Sequence, residues 1–303
     1  MARGAHGEID EKASVSDASR ALAGATAGAV ASCVCSPFDV AKTRIQMRGV
    51  FAASSVAAAR FTTLSKTLRL IVAEEGTLGL YRGLSATLST VPLFYFAFFP
   101  VYERAKARIS STGALGERGV NVLAAILAGG LADFFTNPLW VIRTRMQTSY
   151  MHNPAAPNLN VLQMGRTILQ SEGASAFYKG FGASLLGLSH VAIQLPVYEE
   201  MKTRVETGVA WLDVLVAAAL SKLAATLVTY PHETIRTRLQ DQRGRAADAR
   251  YRGLVHCTRV IVRNEGVRGL YAGLKVNIVR VVPAAITTFV VYESIVKMCR
   301  ERA

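Results

Sequence analysis

The chain has 303 residues, 51% of them apolar and only 18% charged, yet 35 Lys/Arg against 21 Asp/Glu give it a net charge of +14. Apolarity at that level excludes an intrinsically disordered chain, and it excludes a basic nucleic-acid domain, in which charge comes with polarity. Four cysteines, two of them in Cys33-Val34-Cys35, are too few for a disulfide framework, and that pair is too closely spaced for a structural zinc site.

Residues 1–17 read as a flexible tail. Arg3 and Lys12 are offset by Glu8, Asp10, Glu11 and Asp17, which fits neither an acid-poor, Arg-rich presequence nor a secretory signal. No cleaved presequence is expected, and any organellar address is internal. The first repeat, 18–113, opens with the charge-free stretch Ala21–Phe38, in which Gly24-xxx-Gly28 is expected to pack closely on a neighbouring helix. It runs into Pro37-Phe-Asp39-Val-Ala-Lys42-Thr-Arg44-Ile-Gln46. Glu75-Gly76 and Tyr81-Arg82-Gly83 follow, then the charge-free stretch Gly83–Tyr102, ending at Glu103. The second repeat, 114–207, returns to the same order. Gly119–Ile142 is interrupted by Asp133 alone and leads into Pro138-Leu-Trp140-Val-Ile-Arg143-Thr-Arg145-Met-Gln147. Glu172-Gly173, Tyr178-Lys179-Gly180 and Gly180–Tyr198 with Glu199 come after it. The third, 208–303, gives Val214–His232 interrupted by Lys222, then Pro231-His-Glu233-Thr-Ile-Arg236-Thr-Arg238-Leu-Gln240. It continues with Glu265-Gly266, Tyr271-Ala272-Gly273 and Val276–Tyr292 around Arg280, ending at Glu293.

A bilayer core of ~30 Å takes roughly 20 apolar residues as a helix. Six such windows predict six transmembrane helices; burying them all in a soluble protein would need a very large core. Each repeat reads as helix, loop with a short amphipathic helix, helix, which puts both termini on one side. The three odd-to-even connections hold 21 Lys/Arg against 6 Asp/Glu, a net of +15 that exceeds the +14 of the whole chain. Basic loops stay on the side from which positive charge is not translocated, and they attract anionic lipid.

Pro37, Pro138 and Pro231 each free a backbone carbonyl and kink a helix, so three kinked helices can converge like a funnel. The acid two residues after the proline and the base five after it lie three apart, on one helix face, and three such faces can form a ring of ion pairs. Glu103, Glu199 and Glu293 at the ends of the even helices can form a second ring with the residues one turn on, Lys106, Lys202 and Val296. Two rings closing in turn at opposite faces would give alternating access. Snorkelling charge at helix ends is the plainer reading of the same residues.

This triplicated pattern resembles the mitochondrial carrier family over nearly the whole chain. The resemblance implies an all-α membrane protein, a six-helix barrel with threefold pseudosymmetry and three short matrix-side amphipathic helices. It implies a matrix gate of Asp39 with Arg143 and Glu233 with Lys42, braced by Gln46, Gln147 and Gln240. Trp140 stands where the third acid would be and leaves Arg236 unpaired. A cytoplasmic gate is implied for Glu103 with Lys202 and Glu293 with Lys106, braced by Tyr102, Tyr198 and Tyr292, with Glu199 facing Val296. Gly76, Gly83, Gly173, Gly180, Gly266 and Gly273 correspond to the family's cardiolipin sites, of which the third is weakened by Ala272. The motifs at Trp140, Tyr230-Pro-His-Glu233 and Gly187–Glu199 are similar to those of carriers of NAD, pyrimidine nucleotides, FAD and folate, and most similar to NAD carriers. The resemblance thus implies exchange of NAD or a related nucleotide-like anion, with AMP, ADP or similar as counter-substrate, in the mitochondrial inner membrane; relatives also occur in peroxisomes and plastids. It implies a monomer with no cofactor beyond bound cardiolipin and no nucleic-acid partner.

Family contact points carry over to Thr90, Leu186 and Arg280, with Phe94, His190 and Ala284 one turn on. Arg280 is the main substrate candidate, because an intramembrane arginine is costly unless it serves a site and its planar fork suits phosphate; a pair with Asp133 is the alternative. Gly187 gives room for a flat ring or serves helix packing. His190 bonds a ribose or base, or is a satisfied helix-facing histidine. Trp140 stacks on a base or fills the missing acid's volume. Lys222 replaces the Gly28 and Gly129 of the other repeats and adds charge for a polyphosphate or pairs locally. An enzyme finds no support: there is no Gly-rich phosphate loop, nucleophile elbow or metal cluster, and His232 beside Glu233 lies in a gate motif. A scaffold or receptor role would be expected to come with eroded gates.

Overall fold

The computed structural model describes residues 17–51, 61–113, 116–155, 157–206, 208, 210–243 and 251–301. The expected tail lies outside the described residues, Asp17 excepted. The described residues are helical, without strands: α1 (Asp17–Met47), α2 (Leu64–Glu75), α3 (Leu84–Ser110), α4 (Glu117–His152), α5 (Val161–Glu172), α6 (Phe181–Gly187), α7 (Ser189–Arg204), α8 (Ala210–Asp241), α9 (Leu254–Glu265), α10 (Val267–Leu270) and α11 (Leu274–Glu301). Five spans, Thr77–Ser110, Gly119–His152, Ala174–Arg204, Leu212–Asp241 and Val267–Cys299, are long and apolar enough to cross a membrane. Helix α1 supplies the sixth: its 31 residues extend ~46 Å at 1.5 Å per residue.

The helices form a closed ring. Helix α3 packs along α4, α7 along α8, and α11 returns to α1, while α1, α4 and α8 also touch one another. The prolines Pro37, Pro138 and Pro231 lie inside α1, α4 and α8 and let these helices converge at one end, here termed the proline end. The short helices α2, α5 and α9 each bury residues four apart, Thr67 and Ile71, Met164 and Ile168, Cys257 and Ile261, and so are amphipathic. Three apolar clusters gather around them. Ile142 and Met146 meet Met164 and Ile168; Ile235 and Leu239 meet Cys257 and Ile261; Ile45 and Phe61 meet Val276, with Leu64 and Leu70 of α2 against them. The core therefore sits at the proline end, and apolar residues farther along the spans, such as Leu127, Phe135, Ile286 and Phe289, are exposed, as lipid-facing surface would be.

Two expectations fail. A Cβ placed on Gly24 or Gly28 meets nothing within 4 Å; these glycines border an apolar recess with Val91, Tyr95 and Phe99 instead of packing a helix against another. The even span of the second repeat is broken between α6 and α7. At the break the backbone tightens to three-residue hydrogen bonds, Leu188 N to Leu185 O and Val191 N to Leu188 O, beside Gly187. There α6 comes so close to α8 that a Cβ on Gly187 would lie 2.7 Å from His232 Nε2.

Candidate functional site: the cavity and its gate

The proline end is closed by threefold contacts among α1, α4 and α8. Arg143 Nη2 bonds Asp39 Oδ2 at 2.8 Å, and Lys42 Nζ bonds Glu233, with Asn277 Oδ1 at 3.1 Å as a second acceptor. These join α1 to α4 and α8 to α1. Between α4 and α8 the sequence leaves Arg236 without its acid, and here the structure corrects it. Arg236 Nη2 reaches Asp133 Oδ1 at 3.9 Å, and its guanidinium lies over the Trp140 ring, 5.1 Å from the centroid. Arg143 lies over the same ring, also at 5.1 Å, so Trp140 has two cation–π partners.

The glutamines do not bond the ion pairs directly. Gln147, Gln240 and Gln46 accept hydrogen bonds from Thr43, Thr144 and Thr237 at 2.8, 2.8 and 2.9 Å, a second ring of cross-helix contacts. Below it a third ring forms. Arg44, Arg145 and Arg238 donate through Nε to the carbonyls of Gln147, Gln240 and Gln46, at 3.2, 3.0 and 3.0 Å. Their other nitrogens form two-pronged pairs with Glu75, Glu172 and Glu265. Lys179 also reaches Glu172, at 2.6 Å. Burial raises the Glu172 carboxyl, but bonds from Arg145 and Lys179 outweigh it and hold the group below its ordinary range. Sequence reading quoted all six of these residues without joining them, although each acid follows its arginine by a similar interval in all three repeats. It also missed His152 Nε2 with Asp241 Oδ2 at 2.6 Å, which ties the end of α4 to that of α8.

Gly83, Gly180 and Gly273 precede α3, α6 and α11 with φ of 79°, 81° and 85°. A Cβ there would lie 3.1, 3.1 and 3.2 Å from the carbonyls of Arg143, Arg236 and Lys42. Left-handed backbone and close approach both demand glycine. Each even helix thus starts on the backbone of an odd helix, at the gate base.

Above the gate lie two adjoining cavities of ≈ 350 and ≈ 330 Å³, sharing Val91, Trp140 and Arg236. The first is lined by Asp39, Lys42, Arg143, Glu233 and Arg280, the second by Phe94, Asp133, Gly187 and His232. Arg280 Nε stands 3.3 Å from Asp39 Oδ1. It therefore shares with Arg143 an acid that has one base too many, and the alternative pair with Asp133 is not made. Four buried donors here, Trp140 Nε1, Arg143 Nε, Arg236 Nη2 and Arg280 Nε, have no hydrogen-bond acceptor among the described residues.

Other expected contacts move. Thr90 is fully buried with its hydroxyl on the Ala86 carbonyl at 2.6 Å, so Thr87 and Val91 face the cavity in its place. His190 Nδ1 meets Thr229 Oγ1 at 3.1 Å and lines neither cavity. Leu186 is 49% exposed and lines neither. The room expected at Gly187 is taken by His232. Lys222 is exposed and makes no ion pair among the described residues; positions 222, 226, 229 and 233 share one helix face, so it stands three turns along α8 from Glu233. At the far end Glu103, Glu199, Lys202 and Glu293 are exposed, and neither Glu103–Lys202 nor Glu293–Lys106 pairs among the described residues. Tyr102 donates to Asn121 Oδ1 at 3.4 Å, and Lys106 lies 6.0 Å over the Tyr102 ring. The barrel is closed at the proline end, while the two ion pairs expected at the other end are not formed among the described residues.

A family profile described as "Mitochondrial carrier protein" matches residues 14–113, 118–209 and 207–303. The chain belongs to the mitochondrial carrier family. It is similar to nicotinamide adenine dinucleotide transporter 2, mitochondrial, of Arabidopsis thaliana, with 38% identity over 94% of this chain and 80% of the relative. It is 34% identical to the mitochondrial nicotinamide adenine dinucleotide transporter 1 of Saccharomyces cerevisiae, over 90% of this chain and 75% of that one. The chloroplastic folate transporter 1 of Arabidopsis thaliana is 33% identical, over 93% and 95%. This carrier is a multi-pass membrane transporter and not an enzyme. Its three matched segments are the three helix pairs of the ring, and the gate motifs fall at the same place in each.

Proposed function

We propose that the protein exchanges NAD or a closely related nucleotide-like anion for AMP, ADP or a similar nucleotide by alternating access. The observation that carries this reading is the set of four unmet donors around one cavity. Three belong to guanidiniums, whose planar forks match phosphate oxygens, and the fourth is an indole N–H, one more donor for a substrate oxygen or ring nitrogen. The cavity's bases Lys42, Arg143, Arg236 and Arg280 outnumber its acids Asp39, Asp133 and Glu233, and Lys222 adds to the excess on the same helix face as Glu233. Volumes of ≈ 350 and ≈ 330 Å³ fall in the usual range for small-molecule sites. Relatives named for NAD favour NAD over folate, FAD or pyrimidine nucleotides. A pair of charged rings, one formed and one parted, is what one end of an alternating cycle would look like.

The excess of Lys and Arg in the odd-to-even connections supports an orientation with the proline end on the matrix side of a mitochondrial inner membrane and both tails on the cytosolic side; a plastid or peroxisomal membrane is the alternative, and imaging a tagged protein decides. The resemblance assigns cardiolipin phosphates to the starts of α3, α6 and α11 and to the turns at Gly76, Gly173 and Gly266; Gly83, Gly180 and Gly273 are themselves buried, so any such contact would fall to the first-turn amides that follow them. All residues of the proposed site come from one chain, which supports a monomer. The test is reconstitution in liposomes loaded with NAD, AMP, ADP, pyrimidine nucleotides, FAD or folate. Exchange is expected fastest for NAD against adenine nucleotides, and no exchange of any of these compounds would sink the proposal.

A further inference from the structure

The α4–α8 seam of the gate lost its acid at Trp140, but α4 carries another acid seven residues earlier. Seven residues are close to two full turns, so Asp133 lies on the same helix face as Trp140, about 10 Å farther from the proline end. The corresponding residues of the other repeats are Ser32 and Thr226, both neutral. An acid therefore appears at this depth only in the repeat that lacks its gate acid, and it meets the base that acid would have held. Asp133 is 7% exposed. A carboxylate so buried in a span is costly and calls for a partner, and Arg236 at 3.9 Å is its ion-pair partner.

We infer that Asp133 is the transposed third acid of the gate, and that it sets the ion pair of the α4–α8 seam inside the substrate cavity instead of beneath it, where Thr144–Gln240 and Arg145–Gln240 still join the two helices. This rests on the alternating-access reading above. The two seams closed by Asp39–Arg143 and Lys42–Glu233 are hydrogen-bonded, whereas the Asp133–Arg236 contact is beyond hydrogen-bond distance and leaves Arg236 Nη2 without an acceptor. A phosphate oxygen can accept from that nitrogen and displace Asp133. Arg143 and Arg236 both stay over the Trp140 ring, 5.1 Å from its centroid, and the ring's π electrons ease the two like charges when the acid leaves. The ion pair of the α4–α8 seam is therefore the one that the anion itself displaces.

The test compares purified Asp133→Asn, Asp133→Asn/Trp140→Glu, Arg236→Gln and Asp133→Asn/Arg236→Gln carriers with the parent. Thermal midpoints are read without substrate, and the ratio of unidirectional efflux to exchange is read in NAD-loaded liposomes. Asp133→Asn is expected to lower the midpoint and raise the efflux ratio roughly tenfold, the equivalent of ~1.4 kcal/mol of lost coupling. Adding Trp140→Glu returns an acid to the register of Asp39 and Glu233 and restores both readings. A carboxylate that only filled space or touched substrate would not be rescued from a different turn of the helix. Should the single variants not fold, Asp133→Asn/Arg236→Gln removes both charges and is expected to fold with a midpoint above either single. A double no better than its singles, or Asp133→Asn with unchanged midpoint and ratio, overturns the inference. Rescue of the midpoint in a protein that exchanges no nucleotide would sink the substrate reading alone. Absent rescue with NAD exchange intact would sink this one alone.

Discussion

Arg280 offers the sharpest test of the cavity. Its Nε lies 3.3 Å from Asp39 Oδ1 without forming a hydrogen bond, and Asp39 already holds Arg143 at 2.8 Å. Truncation to alanine therefore leaves Asp39 paired, and the loss of a partly solvated ion pair should cost folding less than ~1 kcal/mol. For substrate the cost is larger. A charge-assisted hydrogen bond contributes about 1.5–3 kcal/mol, and each 1.4 kcal/mol is tenfold, so kcat/KM should fall about 10- to 150-fold. Arg280→Lys keeps the charge and loses the fork, so it should fall between alanine and the parent. Initial rates of labelled NAD exchange in liposomes, alongside thermal midpoints, separate the two effects. Unchanged exchange by a folded Arg280→Ala carrier would refute the cavity assignment, and loss of folding in step with activity would refute the energetic argument.

Three further outcomes follow from the packing. Arg44 and Glu75 are almost wholly buried, so Glu75→Gln should leave an uncompensated charge and destabilise by about 3–5 kcal/mol; an unchanged thermal midpoint in detergent with lipid would contradict that. Gly180→Ala meets Gln240 Cγ at 2.9 Å and Arg236 O at 3.1 Å with φ at 81°, so it should cost at least ~1–2 kcal/mol. Gly28→Ala meets nothing and should hold or raise stability, by up to ~1 kcal/mol; equal midpoints for the two would count against the close approach of α6 to α8. Glu172 is held below its ordinary value of 4.5, so its stabilising effect is complete above that pH and lost as acid protonates the folded carboxyl. Glu172→Gln should flatten the pH dependence of stability in that acid range, and an identical acid profile would refute the role of Arg145 and Lys179.

The sequence by itself determined the architecture, because what it requires is local and periodic. Charge-free windows of membrane length, a proline motif repeated at separations of 101 and 93 residues, and glycines at the start of each even helix are readable without knowing what touches what. The pairs Asp39–Arg143 and Lys42–Glu233 were legible through the family pattern. What only the tertiary structure decided are contacts that break the threefold symmetry or turn on register. Asp133 had no counterpart in the other repeats, so repetition could not assign it to Arg236. For Arg280 the sequence suggested Asp133 as the alternative to substrate, and the helix crossing set it beside Asp39 instead. Thr90 and His190 fell on the wrong side of their helices because counting back from the gate fixes height but not rotation, and α6 and α7 do not form one continuous helix. Local propensity and spacing place a residue along a helix. Which neighbour it meets depends on how the six spans tilt and close at the proline end, and that is settled by packing among residues far apart in the chain.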